Sequence, residues 1–182
     1  MTPARSSRAS PAIAPTACGS CCCFRSDPRD SIRIANAYFS PDDLILDALV
    51  DALKRGVRVE VIMPGEDIDA QMARSTGKAR WEPMLQAGAR FYEYAPARFH
   101  CKYMVVDDRW ASVGSANMDN RSLSLNEEAN LNVLSERFAA EQTRIFEDDK
   151  TRAREITLER WRNRPTYEKI NGAVGSLAWS QM

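Results

Sequence analysis

Histidine is all but missing. His100 is the single imidazole in 182 residues, so any imidazole chemistry happens there or nowhere. Net charge is missing too, since Lys plus Arg equals Asp plus Glu at 25 each. That balance counts against a free-standing nucleic-acid binder, whose domain is usually basic. No stretch approaches the roughly 18 consecutive apolar residues of a membrane-spanning helix, so a lipid substrate would be met from the surface. A disulfide framework is also lacking. Four cysteines crowd together at Cys18, Cys21, Cys22 and Cys23, and only Cys101 lies in a patterned region. Neighbouring cysteines bridge one another poorly, and an unpatterned stretch has no core to staple. A reducing compartment, a cytoplasmic location and no disulfides are expected. Cys18-x-x-Cys21 lacks the further ligands of a zinc site, so neither a metal nor another cofactor is expected.

Acids are absent before Asp27, in a segment rich in Ser, Ala, Pro and Arg. Without hydrophobic periodicity, residues 1–30 read as a disordered low-complexity tail. Their Arg-rich look overlaps with transit peptides, but the apolar core of a secretory signal is not there. Order then begins abruptly. Ile32 to Phe39 reads as a strand. Ser40 as N-cap, Pro41 in the first turn and Asp42-Asp43 on the positive end of the dipole start a helix. It ends at Lys54-Arg55-Gly56. Val57 to Met63 is a second strand, making a crossover unit on a parallel pair. A helix interrupted by Gly77 and Pro83 spans residues 66–87, with Trp81, Met84 and Leu85 on its buried side. Strands follow at Arg90–Tyr94, Phe99–Val106, Trp110–Gly114 and Glu127–Leu134, with a turn at Asp107-Asp108-Arg109. Helices are expected at Glu136–Asp149 and at the Arg-rich Thr151–Asn163. The whole reads as an α/β fold, a mixed sheet flanked by helices.

The chemistry concentrates in two stretches. Phe99-His100-Cys101-Lys102-Tyr103 is followed by Asp107 and, six residues on, by Gly114-Ser115-Ala116-Asn117. On a strand, His100 and Lys102 share a face with Cα atoms roughly 6.5 Å apart, while Cys101, Tyr103 and Val105 face the other way. An imidazole and an ammonium on one face suit an anion. One attacks or transfers a proton, and the other neutralises oxygens. Asp107 falls where the strand turns, so its expected work is holding that turn or pairing with a basic group. Gly114 allows close backbone approach, and Ser115 and Asn117 add a hydroxyl and an amide for phosphate oxygens. The same alternation puts Asn126, Glu128, Asn130 and Asn132 on one face and Ala129, Leu131 and Val133 on a core face. If the polar face fronts the site, Glu128 accepts a hydrogen bond from an imidazole and fixes its tautomer. A lone histidine is usually structural, and a lysine on an apolar strand is usually an edge guard. Here the joint spacing of His-x-Lys, Asp and Gly-Ser-x-Asn outweighs both readings.

That spacing resembles the HKD motif of the phospholipase D superfamily. Met118-Asp119-Asn120-Arg121-Ser122 and Leu125-Asn126-Glu127-Glu128-Ala129-Asn130 look like segments that follow the second motif of bacterial cardiolipin synthases. Tyr38-Phe39-Ser40-Pro41, Arg55-Gly56-Val57-Arg58-Val59 and Phe91-Tyr92-Glu93-Tyr94 look like segments that precede it. The similarity covers about residues 31–170, one phospholipase D-like half-domain, with 171–182 a C-terminal tail. It implies a metal-independent double displacement through a phosphohistidine, with phosphatidylglycerol the natural donor. It also implies that His100 is the catalytic imidazole, that Lys102 and Asn117 bind phosphate oxygens with help from Ser115, that Asp107 is structural and that Glu128 orients a histidine.

One histidine cannot fill both roles of a two-motif enzyme. Either a second copy brings the other motif about a two-fold axis, or this chain is the C-terminal half of a longer enzyme. In two-motif relatives the first histidine is generally the nucleophile, so a second half would supply the general acid. Three functions follow in order: phosphatidyl transfer at the membrane surface, a homodimeric phosphodiesterase acting on nucleic acid, and an inactive truncated half. The Arg-rich segment from Thr151 could add peripheral contact with anionic headgroups.

Overall fold

Among the described residues seven strands form one mixed sheet, and its order explains where the candidate site is displayed. The computed structural model describes residues 28–65, 80–119, 122 and 126–166. The N-terminal tail with its cysteine cluster, most of the helix expected at 66–87, and the C-terminal tail lie outside these residues. The elements are β1 Ser31–Asn36, β2 Phe39–Ser40, α1 Asp43–Lys54, β3 Arg58–Pro64, α2 Trp81–Gln86, β4 Arg90–Tyr94 and β5 Lys102–Val106. They continue with β6 Trp110–Gly114, β7 Met118–Asp119, β8 Asn130–Leu134, α3 Glu136–Thr151, β9 Ala153–Ile156 and α4 Leu158–Arg162. The sheet runs β8-β6-β5-β1-β3-β4-β9, and β2 and β7 pair separately. β1, β3 and β4 are parallel to one another. The β1–β5, β5–β6, β6–β8 and β4–β9 pairs are antiparallel.

Both faces of the centre are covered. Ile45, Leu49 and Leu53 of α1, with Trp81, Met84 and Trp161, pack on Ile32, Ile34, Val59, Val61 and Met104. On the opposite face Ala139 and Phe146 of α3 cover Ala35, Ile62, Tyr92, Tyr103 and Val105. The alternation along β5 therefore separates two cores, as its period of two requires.

Several boundaries differ from the sequence reading. β1 stops at Asn36, and Phe39–Ser40 leaves the main sheet to pair with Met118–Asp119. Ser40 is thus strand, and the N-cap of α1 is Asp42, whose carboxylate accepts the Ile45 N–H at 2.8 Å. β5 starts at Lys102 rather than Phe99, because Lys102 pairs with Asn36, the last residue of β1. β8 starts at Asn130 rather than Glu127, because Asn130 pairs with Gly114, the last residue of β6. Leu131 was expected in the core, yet it is 64 % exposed and Leu134 is 79 % exposed. β8 is an edge strand, and its Leu131 and Leu134 are left exposed. The Arg-rich helix is replaced by β9, which pairs with the otherwise open edge of β4, and by the five-residue α4. Its cations are engaged within the fold: Arg152 with Asp148 and Asp149, Arg154 with the buried Glu93, and Arg162 with Glu82. A continuous cationic helix face for headgroups is therefore not formed.

Candidate active site

His100 lies just before β5 with its side chain exposed, while its neighbour Phe99 is buried against Tyr94 at 5.0 Å between ring centroids. Phe99 thereby anchors the segment that presents the imidazole. Lys102 follows as the first residue of β5 and reaches back. Its Nζ is 3.0 Å from Nδ1 and 3.3 Å from Nε2 of His100 and donates to the His100 carbonyl at 2.9 Å. An ammonium has no lone pair, so only a ring nitrogen without a proton accepts from it. An unprotonated imidazole nitrogen is also the form that attacks phosphorus. Partial burial lowers the Lys102 pKa, and the nearby carboxylates of Glu128 and Asp119 only partly oppose it. An anion bound here would restore the ammonium's preference for its charge.

The second stretch is held by many bonds. The Ser115 N–H donates to the Ala129 carbonyl at 3.0 Å, and the Ala129 N–H donates to the Ser115 hydroxyl at 3.0 Å. That hydroxyl donates in turn to the Glu128 carboxylate. The Asn130 side-chain oxygen accepts the Ala116 N–H at 3.2 Å. A Cβ at Gly114 would lie 2.1 Å from that same oxygen and 2.3 Å from the Ala129 carbonyl oxygen. Glycine is therefore needed for the close approach itself. Asn117 donates a long 3.4 Å bond to the Ser122 hydroxyl, and its side-chain oxygen is buried without a hydrogen-bond partner among the described residues. Asn36, Lys102, Ser112, Asn117 and Asn130, with Met104 and Met118, line a small cavity that Lys102 shares with the reactive pair.

Glu128 bonds elsewhere than to the imidazole, and Asp107 holds the turn. The Glu128 carboxylate is bonded to Ser115 and to Asn126, whereas the His100 ring bonds to Lys102 among the described residues. The Ser115 bond, with Asn126 and Ser122 helping, outweighs slight burial and lowers the Glu128 pKa. Ser115, an exposed residue, thus bonds both the Ala129 backbone and the Glu128 carboxylate of the neighbouring segment. Asp107 lies at the far end of β5, at φ 52°. Its carboxylate accepts the N–H groups of Arg29, Asp30 and Ser31 at 3.0, 2.8 and 2.9 Å. It ties β1 to the β5–β6 turn and touches neither reactive group.

With this geometry in view, the comparisons have a direct meaning. The family described as "Cardiolipin synthase, PLD-like domain" matches residues 26–150. The chain belongs to that family. Cardiolipin synthase A of Yersinia pseudotuberculosis is 33 % identical over 142 residues, covering 78 % of this chain and 29 % of the relative. The corresponding Yersinia pestis protein matches to the same extent. The chain thus spans less than a third of the length of these cardiolipin synthases. Among solved structures, Nuc of Salmonella typhimurium, a phospholipase D family member, superposes with a TM-score of 0.65 at 20 % identity. That match covers 76 % of this chain and 90 % of Nuc. Phosphatidylserine synthase of Haemophilus influenzae gives 0.59 at 14 % identity, over 84 % of this chain and 43 % of that one. Both likenesses confirm the phospholipase D fold.

Two participants in this phospholipase D-like site escape a reading of the motif alone. Tyr38 places its ring edge-on to His100, with centroids 6.4 Å apart and planes at 88°. Asn36, buried at the end of β1, faces Lys102 across the ladder. The available signal was the polar break between the apolar strand residues and Tyr38-Phe39. By itself such a break reads as a strand stop.

Proposed function

We propose that this chain supplies one imidazole site of a cardiolipin synthase-type phosphatidyltransferase. The observation that carries the reading is the lone, exposed His100 with Lys102 Nζ against its ring nitrogens, and Lys102 in turn lining a cavity with Asn117 and Asn130. Family membership supports a phospholipid, phosphatidylglycerol first, as donor. In the first step one imidazole nitrogen attacks phosphorus and a P–N bond forms. The P–O bond to the leaving alcohol breaks, and a second imidazole delivers the proton that alcohol needs. In the second step an acceptor alcohol gives its proton to that second imidazole and its oxygen attacks phosphorus. The P–N bond breaks, and both imidazoles are regenerated. Lys102 and Asn117 neutralise and orient the non-bridging oxygens. Ser115 holds its loop beside them, and Glu128 keeps that loop closed and stands ready to orient a histidine. Asp107 fixes the strand that carries Lys102.

Since His100 is the sole histidine, the second imidazole comes from a second copy or from another polypeptide segment. One observation favours a second reading, a nucleic-acid phosphodiesterase built from two copies: a chain with a single histidine completes a two-imidazole site by pairing with itself. A single experiment separates them. The mass of the purified chain in solution is measured, and phosphatidylglycerol vesicles and plasmid DNA are assayed beside His100→Ala. Lipid product that falls on the order of 10²–10⁴-fold in the variant is expected. His100-dependent nicking of DNA with the lipid untouched would select the second reading. A monomer inactive on both substrates would mean that this chain alone is an incomplete site.

A further inference from the structure

Asn36 lies outside the His-Lys-Asp and Gly-Ser-x-Asn spacing, yet it joins the two loops on either side of the reactive pair. It is 4 % exposed, and its side-chain oxygen accepts two backbone N–H groups, from Tyr38 at 3.1 Å and from Met118 at 3.2 Å. The first bond closes a tight turn that sets the Tyr38 ring edge-on against His100. The second holds the residue next to Asn117, where β7 begins its pairing with β2. Across the ladder Asn36 stands opposite Lys102. One side-chain carbonyl therefore ties the turn that carries Tyr38 to the residue after Asn117, on a residue that stands opposite Lys102.

We propose that Asn36 is a positioning residue: through its two backbone bonds it keeps Tyr38 against the His100 imidazole and Asn117 beside Lys102. Its catalytic half rests on the phosphoryl-transfer reading above; its geometric half does not. An aliphatic side chain here would leave two backbone N–H groups without their acceptor. Aspartate retains both bonds but sets a negative charge opposite Lys102. Asparagine supplies the acceptor without that charge.

The single histidine makes the test direct, because the full chain gives one set of imidazole carbon–proton NMR signals. Asn36→Ala, Tyr38→Ala and Tyr38→Phe are compared with the unaltered chain. Removing the ring in Tyr38→Ala is expected to shift the His100 signals. Asn36→Ala should shift them in the same direction, and Tyr38→Phe should leave them in place. Turnover of whichever phosphodiester the chain cleaves should fall on the order of a hundredfold in Asn36→Ala, mainly in kcat, as expected when a reacting group is displaced by about an ångström. Imidazole signals in Tyr38→Ala that coincide with those of the unaltered chain would overturn the proposal. So would a folded Asn36→Ala that retains both signals and kcat. Should Asn36→Ala fail to fold, Asn36→Gln decides. Its longer side chain keeps the amide but displaces the acceptor, so moved imidazole signals support the proposal and unmoved ones overturn it. Absence of any turnover would mean that this chain alone is an incomplete site, and the NMR comparison still judges Asn36.

Discussion

Asp107 belongs to the motif by spacing, but its chemistry is that of a clamp. Its left-handed backbone, φ 52°, suits aspartate or asparagine better than most side chains. Burial alone would raise its pKa. Hydrogen bonds from the N–H groups of Ser31, Arg29 and Asp30 outweigh that and hold the carboxyl below its ordinary value. The sign for stability follows. Over the acid range the unfolded chain binds a proton that the folded chain refuses, so this contribution is present above the unfolded pKa. It is lost as pH falls through the depressed folded value. Asp107→Asn tolerates the same φ and keeps one acceptor oxygen, but it loses the charge. It should lower unfolding free energy in urea at pH 7 by about 1–3 kcal/mol. The gap should narrow as the pH is taken below the usual carboxylate range. Parallel stability curves for the two proteins across that range would show that the carboxylate charge does not hold the turn.

The start of α1 shows how an element is specified by its surroundings. Ser40-Pro41-Asp42-Asp43 offers two candidate caps, and local preference alone favours serine before proline. Pairing of Phe39–Ser40 with Met118–Asp119 takes Ser40 out of contention, and its hydroxyl is buried without a hydrogen-bond partner among the described residues. Asp42 caps instead. Asp42→Ala is expected to lower the thermal midpoint, at a cost of about 1 kcal/mol. Ser40→Ala should be neutral or slightly stabilising, since it removes an unsatisfied buried hydroxyl; a reversed order in a melting experiment would restore serine as the cap. The same logic marks what the sequence could show. Strand alternation was legible in β5, because Met104 and Val106 serve one core and Tyr103 and Val105 the other. Strand ends were not, because β5 begins where β1 supplies a partner. In β8 the period identified two faces but not whether anything covers Leu131. For Thr151–Asn163, charged residues at helical spacing suggested a helix, and the open edge of β4 overrode them. His100, Lys102 and Asn117 could be found from spacing, whereas Asn36 acts through backbone groups that no side-chain pattern reveals.

The layers of the domain are joined by charge as well as by apolar packing. Arg33 and Glu60 are 6 % and 2 % exposed and stand opposite each other on the parallel central strands β1 and β3. Arg33 bonds to Asp108 at 2.9 Å and to Glu147 at 3.3 Å, and lies 3.9 Å from Glu60. Glu60 accepts from Lys150 at 3.1 Å and from the Tyr92 hydroxyl at 3.3 Å. Glu147 and Lys150 both belong to α3. The helix that packs on Tyr103 and Val105, and so backs the strand carrying Lys102, is therefore docked through a buried ionic seam. Such a seam repays its desolvation only when every member is matched. Removing one member leaves charge in a poorly solvated place, so Arg33→Met should cost about 3 kcal/mol in urea unfolding, and Glu60→Leu a similar amount. Replacing both removes the unmatched pair together, and Arg33→Met with Glu60→Leu should cost clearly less than the two single changes added. If the costs instead add within about 0.5 kcal/mol, the residues act independently and the seam is a set of separate contacts. Asp108 and Thr143 offer a second reading of the same coupling, because the β5–β6 turn meets α3 through their 2.6 Å bond. Loss of α3 docking should thus loosen the turn that Asp107 holds, and amide exchange at residues 103–109 in Arg33→Met should quicken more than at β4.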